Sequence, residues 1–497
     1  MNRQIRQVIV LVVVMVLALA ASLTSVQGLA RPALWESSSS QGTLITDSRN
    51  SRMVYAQFGT ERGQILAGDT VLADSVASDD AYTYQRTYPE GQLYAPLTGY
   101  FSTAFSSMTG LELAANSVLN GEDPSLFSSR IKALITGESQ QGGAIKLTID
   151  PQVQQAAWDA LGGRQGSVVA LDPSTGAILA MVSSPSYDPN QIASHDSSTA
   201  QAAWDALNAD GTKPLVNRAI GGDLYAPGST FKILTMAAAL RTGTANTDTE
   251  VDAPDTLTLP GTSHSLSNYA GESCGNGRVT LAYAFAESCN TPFAQLAMDV
   301  GDTELATEAT NWGFGESLEI PLAVTASTYP ANDSQAQTAM AGIGQASVRV
   351  TPLMMASVAA TIANDGKQMT PYLVAQTLDS DLSVVSTTTP SVARTPIDSS
   401  IAQTLSELMQ QAVTDGTGTT AQVAGVTVAG KTGTAETGSA DGGPITWFVG
   451  FAGTDIAEPT VALAVVLDGG EQTATTGTGG SVAGPIAASV IDAAVDQ

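Results

Sequence analysis

GVTVAGKTGTAET (425–437), ITWFVGFAG (445–453) and TVALAVVLDG (460–469) are three apolar, β-branched runs separated by short polar gaps, and GPIAASVIDAAV (484–495) follows with apolar residues at helical spacing. Strands joined by connections this short pair as an antiparallel meander. Working back, GSVVALD (166–172), the turn Pro173-Ser174-Thr175-Gly176 and AILAMVSS (177–184) carry the same texture around a Gly-containing turn, which predicts a hairpin. AIKLTI (144–149) alternates as a strand, and Asp150-Pro151 opens a helix, VQQAAWDAL, that stops at Gly162-Gly163. The long middle reads as helical. Its clearest helix has Thr351 as N-cap, Pro352 in the first turn, LMMASVAATIA, then an Asn364-Asp365-Gly366 stop. Two strands, helices, three strands and a helix predict an α/β (α+β) fold: an antiparallel five-stranded sheet flanked by helices around an all-helical insert.

Upstream, residues 61–143 hold short strand-like and helix-like pieces broken by Gly, Pro and Asp, a modest N-terminal module. Residues 30–60 are polar and Ser-rich, as a linker is. Before them, MNRQIRQ (1–7) precedes an apolar run from Val8 that extends to Leu29. About 20 apolar residues suffice to cross a hydrocarbon layer of ~30 Å as one helix. Arg3 and Arg6 before the run and no further base until Arg31 place the N-terminus in the cytoplasm. A cleaved signal peptide is the alternative, since Ala18-Leu19-Ala20 suits a small-x-small cleavage site. Either way the rest lies outside the cytoplasm. The expected layout is a cytoplasmic tail and signal-anchor (1–29), a linker and N-terminal module (30–143), and a large second domain (144–497).

Composition narrows the function. The chain has 497 residues, of which 43% are apolar, which excludes a wholly disordered chain. Its net charge of -27 repels phosphate backbones, so nucleic acid is not an expected partner. Two histidines (His195, His264) and two cysteines (Cys274, Cys289) are too few for a His/Cys metal site; no metal and no cofactor are expected. In an exported chain the cysteines, 15 positions apart, either form a bridge, worth about 3 kcal/mol in the chain-entropy model, or stay as two buried thiols. The bridge is the expectation.

Three clusters carry chemistry. In YAPGSTFKILTMAAAL (225–240), Pro227-Gly228 breaks the chain, so Ser229 sits at a helix N-terminus with Lys232 three residues on, on the same face. A serine needs an adjacent base, and a lysine serves if burial or neighbouring charge lowers its pKa. Alone the spacing is weak, because Ser129-Arg130-Ile131-Lys132 repeats it. In AFAESCNTPFAQLA (284–297), Ser288 and Asn290 face one cleft if the segment is a loop or helix junction; Ser48-Arg49-Asn50 matches the same pattern. Lys431-Thr432-Gly433-Thr434 occurs once, on the first strand of the meander, and takes one of only six lysines. A lysine and hydroxyls at a strand edge, with glycine allowing close approach, suit a peptide carboxylate.

The order is decisive. Ser-x-x-Lys, Ser-x-Asn and Lys-Thr-Gly follow one another 59 and then 143 residues apart, the set found in penicillin-binding proteins and class A β-lactamases. From residue 144 on, the chain resembles a class B (monofunctional) penicillin-binding protein, in particular the actinobacterial PbpA type. GSVVALDPSTGAILAMVSSPSYDPN (166–190), NRAIGGDLYAPGSTFK (217–232), VTPLMMASVAATIANDG (350–366) and TWFVGFAG (446–453) match the family's style. RGQIL (62–66), TYPEG (87–91) and GLE (110–112) are similar to its pedestal. Gly344-Gln345-Ala346 departs from the Gly-Gln-Gly of many relatives.

The resemblance implies peptidoglycan D,D-transpeptidation through an acyl-enzyme on Ser229, with β-lactams acylating the same serine. Lys232 would be its base, Ser288 a proton relay, and Asn290 the residue positioning Lys232 and the substrate amide. Lys431, Thr432, Gly433 and Thr434 would bind the terminal carboxylate, and the oxyanion would lie between the N–H groups of Ser229 and Thr434. It implies a membrane-embedded glycan polymerase as partner and a role in cell shape or division. A D,D-carboxypeptidase differs only in acceptor preference. A β-lactamase would need a water-activating Glu-x-x-x-Asn, and Glu308-Ala309-Thr310-Asn311 has the wrong spacing. A penicillin sensor would need a signalling domain, for which seven N-terminal residues leave no space.

Overall fold

The computed structural model describes residues 59–137, 141–268, 271–318, 320–331, 334–436, 443–469 and 477–495. The expected anchor, the linker to residue 58 and Ser48-Arg49-Asn50 lie outside them. No helix among the described residues is long and apolar enough to cross a membrane.

The meander and hairpin read from sequence form one sheet. Strands β1 (Gly166–Leu171), β2 (Ile178–Ser184), β3 (Thr427–Ala435), β4 (Ile445–Gly453) and β5 (Val461–Leu467) lie in the order β3-β4-β5-β1-β2, all antiparallel. β4, β5 and β1 are buried along their whole length, as strands covered on both faces must be. The period of two splits them cleanly. Phe448, Val465 and Val168 pack with Ile486 and Val490 of the closing helix, while Trp447, Val449, Phe451 and Val466 join the larger core on the opposite face.

Helices cover both faces. Helix α1 (Pro151–Leu161) starts where the Asp150 side chain accepts from the N–H groups of Gln152 and Val153, and stops at left-handed Gly162. Helix α2 (Lys232–Thr242) continues a 3₁₀ turn at Gly228–Phe231 and ends at left-handed Gly243. Helix α3 (Asn290–Val300) follows a short helix, Leu281–Ala286. Helix α4 (Pro352–Ala363) is buried from Pro352 to Ile362; the Thr351 hydroxyl caps it by accepting from Met354 N–H at 3.1 Å. Helix α5 (Ser399–Thr414) packs against β3, and α6 (Gly484–Val495) lies beside α1.

One feature differs from the sequence expectation. The insert is not all-helical: Glu250–Asp252 pairs with Arg278–Thr280, and Thr256–Thr258 with Ser265–Ser267. These three-residue ribbons stand largely exposed in polar sequence, where neither hydrophobic period is readable. The strand Ala144–Leu147 belongs to a second, six-stranded sheet. There it runs parallel to Ile65–Ala67 and antiparallel to Val374–Leu378, with Val384–Thr387, Thr70–Ala77 and Tyr84–Thr87 completing the order. The N-terminal module is thus closed by strands from two later parts of the chain.

That module has a polar centre. RGQIL, TYPEG and GLE converge there: Arg62 Nε donates to Glu112 Oε2 at 2.5 Å, Arg86 Nε to Glu112 Oε1 at 2.7 Å, and the Tyr88 hydroxyl to the same Oε1 at 3.2 Å. Glu112 is wholly buried and both guanidinium groups nearly so. Burial alone would raise the Glu112 pKa; the two guanidinium groups outweigh it and hold the carboxyl below its usual range.

Candidate active site

The turn that carries Ser229 is set by glycines on both sides. Gly228 (φ 53°) donates its N–H to Gly344 O at 2.9 Å, and a Cβ on Gly344 (φ 74°) would sit 2.0 Å from Gly228 O. A Cβ on Gly433 would come within 2.9 Å of Pro227 O and Thr230 Cγ2, so β3 presses its side-chain-free position against the turn. Trp447 Nε1, opposite Gly433 on β4, donates to Ala226 O at 2.9 Å. The turn is therefore pinned from the sheet and from the 342–346 loop, where Ala346 takes a left-handed φ of 56°. Ser229 is left half-buried at the surface of this scaffold.

Lys232, one turn on, has no exposed surface. Its Nζ donates to Ser288 O at 2.6 Å, to Asn290 Oδ1 at 2.9 Å and, at the 3.5 Å limit, to Ser288 Oγ. It lies 5.6 Å from the Phe293 ring centre. No hydrogen bond joins it to Ser229 Oγ among the described residues. Burial, reinforced by the charge of Lys431, pushes its pKa well below the usual lysine range. Ser288 reaches it because the chain turns sharply between the short helix 281–286 and α3, with Ser288 itself at φ 59°. Cys289, the last residue of that turn, is bonded to Cys274.

Lys431 is equally buried. It shares a face of β3 with Ala429 and Gly433, and its Nζ donates to Thr432 O at 3.2 Å and lies 5.7 Å from the Phe285 ring centre. Burial brings its pKa down to about 7, with Glu287 opposing the shift. The Thr432 hydroxyl is 2.6 Å from that of Thr417, and Thr434 Oγ1 accepts from Gly479 N–H at 3.2 Å. The three stretches thus meet: Lys232 links the first to the second by hydrogen bonds, and the packing of Gly433 on Pro227 and Thr230 links the first to the third.

The look-alikes go elsewhere. Lys132 of the second Ser-x-x-Lys is solvated and pairs with Asp381 at 2.8 Å. Glu308 is buried, accepts from Arg241 Nε at 2.6 Å and from Trp312 Nε1 at 2.8 Å, and serves packing behind α2. Sequence reasoning passed over Thr417, in the Gly-Thr-Gly loop after α5, and Asn268, whose Oδ1 accepts from Asn290 N–H at 2.9 Å. No spacing flags either, because each meets the site only through the folded chain.

Comparison with known proteins identifies the family. The family model described as the penicillin binding protein transpeptidase domain matches residues 166–492, and that of the penicillin binding protein A dimerisation domain matches 62–145. The peptidoglycan D,D-transpeptidase PbpA of Mycolicibacterium smegmatis is 44% identical over 507 residues, covering 100% of both chains. Its namesake in Mycobacterium tuberculosis is 41% identical, covering 100% of this chain and 99% of its own. The M. tuberculosis penicillin-binding protein A in its ceftriaxone acyl-enzyme complex superposes with a TM-score of 0.85 at 42% identity, over 88% of this chain and 99% of that one. Its penicillin G acyl-enzyme gives 0.82 at 43%, with the same coverage. The chain belongs to the penicillin-binding proteins that carry a transpeptidase domain. Within them it is a class B member of the PbpA type.

Proposed function

We infer that this chain is a peptidoglycan D,D-transpeptidase, a serine acyltransferase that joins D-Ala-D-Ala stem peptides and that β-lactams acylate. The observation that carries the reading is a buried lysine with a strongly lowered pKa, one turn after an accessible serine and hydrogen-bonded to the Ser-x-Asn segment. Without its proton, Lys232 can take one from Ser229 as that oxygen attacks the penultimate D-Ala carbonyl. The C–N bond then breaks, the proton passes by way of Ser288 to the departing D-alanine amine, and an acyl ester remains on Ser229. Attack on the ester by a neighbouring stem's amine forms the new amide and returns the serine proton. The oxyanion lies between the N–H groups of Ser229 and Thr434, a contact worth about 3–4 kcal/mol per donor. Asn290 orients Lys232 and the substrate amide. Lys431, Thr432 and Thr434 take the terminal carboxylate, whose arrival favours the charged form of Lys431.

Residues 1–29 are a single-pass anchor, 30–143 a linker and pedestal, and the remainder the catalytic part outside the cytoplasm. The apolar run supports the anchor, the dimerisation-domain match the pedestal, and the Cys274–Cys289 bond an oxidising compartment. A separate membrane-embedded polymerase supplies the glycan strands. Labelling with a fluorescent penicillin tests the nucleophile: Ser229→Ala abolishes it and Ser129→Ala leaves it intact, whereas equal labelling of the two overturns the assignment. A stem-peptide donor with and without an acceptor amine then separates cross-linking from hydrolysis.

A further inference from the structure

The side-chain amide of Asn290 is held in one orientation. Its Nδ2 donates to Ser267 O at 3.1 Å, which turns Oδ1 toward Lys232 Nζ. One residue beyond Ser267, Asn268 is 6% exposed, and its Oδ1 accepts from the N–H groups of Asn290 at 2.9 Å and Thr291 at 3.1 Å. These are the first two amides of α3, and Cys289, at the N-cap position, gives them no side-chain cap. The cap comes instead from a ribbon more than twenty residues upstream. Asn268 Nδ2 is buried with no hydrogen-bond partner among the described residues, so a donor is left unsatisfied while the acceptor is doubly used.

We propose that Asn268 is a positioning residue for acyl transfer: by capping α3 from the Ser265–Ser267 ribbon, its Oδ1 holds Ser288 and Asn290 against Lys232. This rests on the transpeptidase reading. Asn268 touches none of the reacting groups. It acts through Asn290 and through the register of the turn that Cys274–Cys289 ties from the other side. A carboxylate in its place keeps the cap, and suits a helix N-terminus, but adds a negative charge near Lys232. The other charges bearing on the two lysines are that of Lys431 on Lys232 and that of Glu287 on Lys431.

The test measures penicillin G acylation of the full chain between pH 6 and 10 for wild type, Asn268→Ala and Asn268→Asp, with Ser229→Ala as the blank. Asn268→Ala is expected to lose about 10- to 100-fold in rate at every pH, the scale of a misplaced catalytic group. Asn268→Asp keeps the plateau within about threefold and moves the rising limb to higher pH, because a nearby carboxylate favours the Lys232 ammonium. A merely structural role lowers the active fraction and leaves the acylation rate constant of the folded molecules of Asn268→Ala unchanged. Wild-type kinetics in Asn268→Ala, or an unmoved limb in folded Asn268→Asp, overturns the proposal. If Asn268→Ala does not fold, the limb of Asn268→Asp decides alone. Acylation persisting in Ser229→Ala defeats the transpeptidase reading itself, a separate result.

Discussion

Two lysine nitrogens under the surface, one at Lys232 and one at Lys431, work against the stability of the fold that holds them. An unfolded lysine keeps its proton up to about pH 10.5, whereas Lys431 in the folded chain releases it near 7. Between those values the unfolded chain binds more protons, so stability rises with pH, by up to about 1.4 kcal/mol per pH unit for each such group. Below pH 7 Lys431 is protonated in both states and contributes no slope. We expect Lys431→Met to flatten the rise between pH 7 and 10 in urea titrations and to stabilise the fold near neutrality; parallel curves for the two proteins contradict this. Sequence revealed that Lys232 and Lys431 sit in ordered motifs but not that both are buried. The covering rings, Phe293 and Phe285, belong to the segment around Ser288, distant in sequence from both lysines.

Among the elements, those with a long apolar period were legible. All five central strands and α4 follow the reading because each is buried along most of its length and its pattern is continuous. The ribbons at 250–280 were not, being three residues each and held by tertiary contacts around the Ser288 turn. The 342–346 loop shows how little slack the Ser229 turn has. Gly344→Ala places a Cβ against Gly228 O in a left-handed conformation, at an expected penalty of about 1–3 kcal/mol. Because the clash falls on the residue before Ser229, acylation drops on the order of 100-fold as well. Stopped-flow acylation checks it; a variant that loses stability but acylates normally shows the loop to be only a support.

For the molecule as a whole, the N-terminal module is organised around one buried charge cluster rather than an apolar core alone. Glu112→Ala leaves the Arg62 and Arg86 guanidinium groups buried and opposed, which costs about 3–5 kcal/mol when one partner of such a cluster is removed. The expected result is a lower unfolding midpoint with an unchanged acylation constant for the protein that remains folded. An unchanged midpoint argues against the cluster. RGQIL and GLE advertised this module in the sequence, but the pairing of Arg62 with Glu112, fifty residues apart, became visible only in the fold.

The second sheet has a consequence for biosynthesis. Ala144–Leu147 finds its antiparallel neighbour in Val374–Leu378, which the ribosome delivers more than two hundred residues later. At roughly 5–20 residues per second this is an interval of tens of seconds, during which the nascent N-terminal module shows one row of unpaired amides and carbonyls to its surroundings. A translation product cut short before Val374 keeps that row open permanently, and becomes a template for aggregation rather than a smaller working protein.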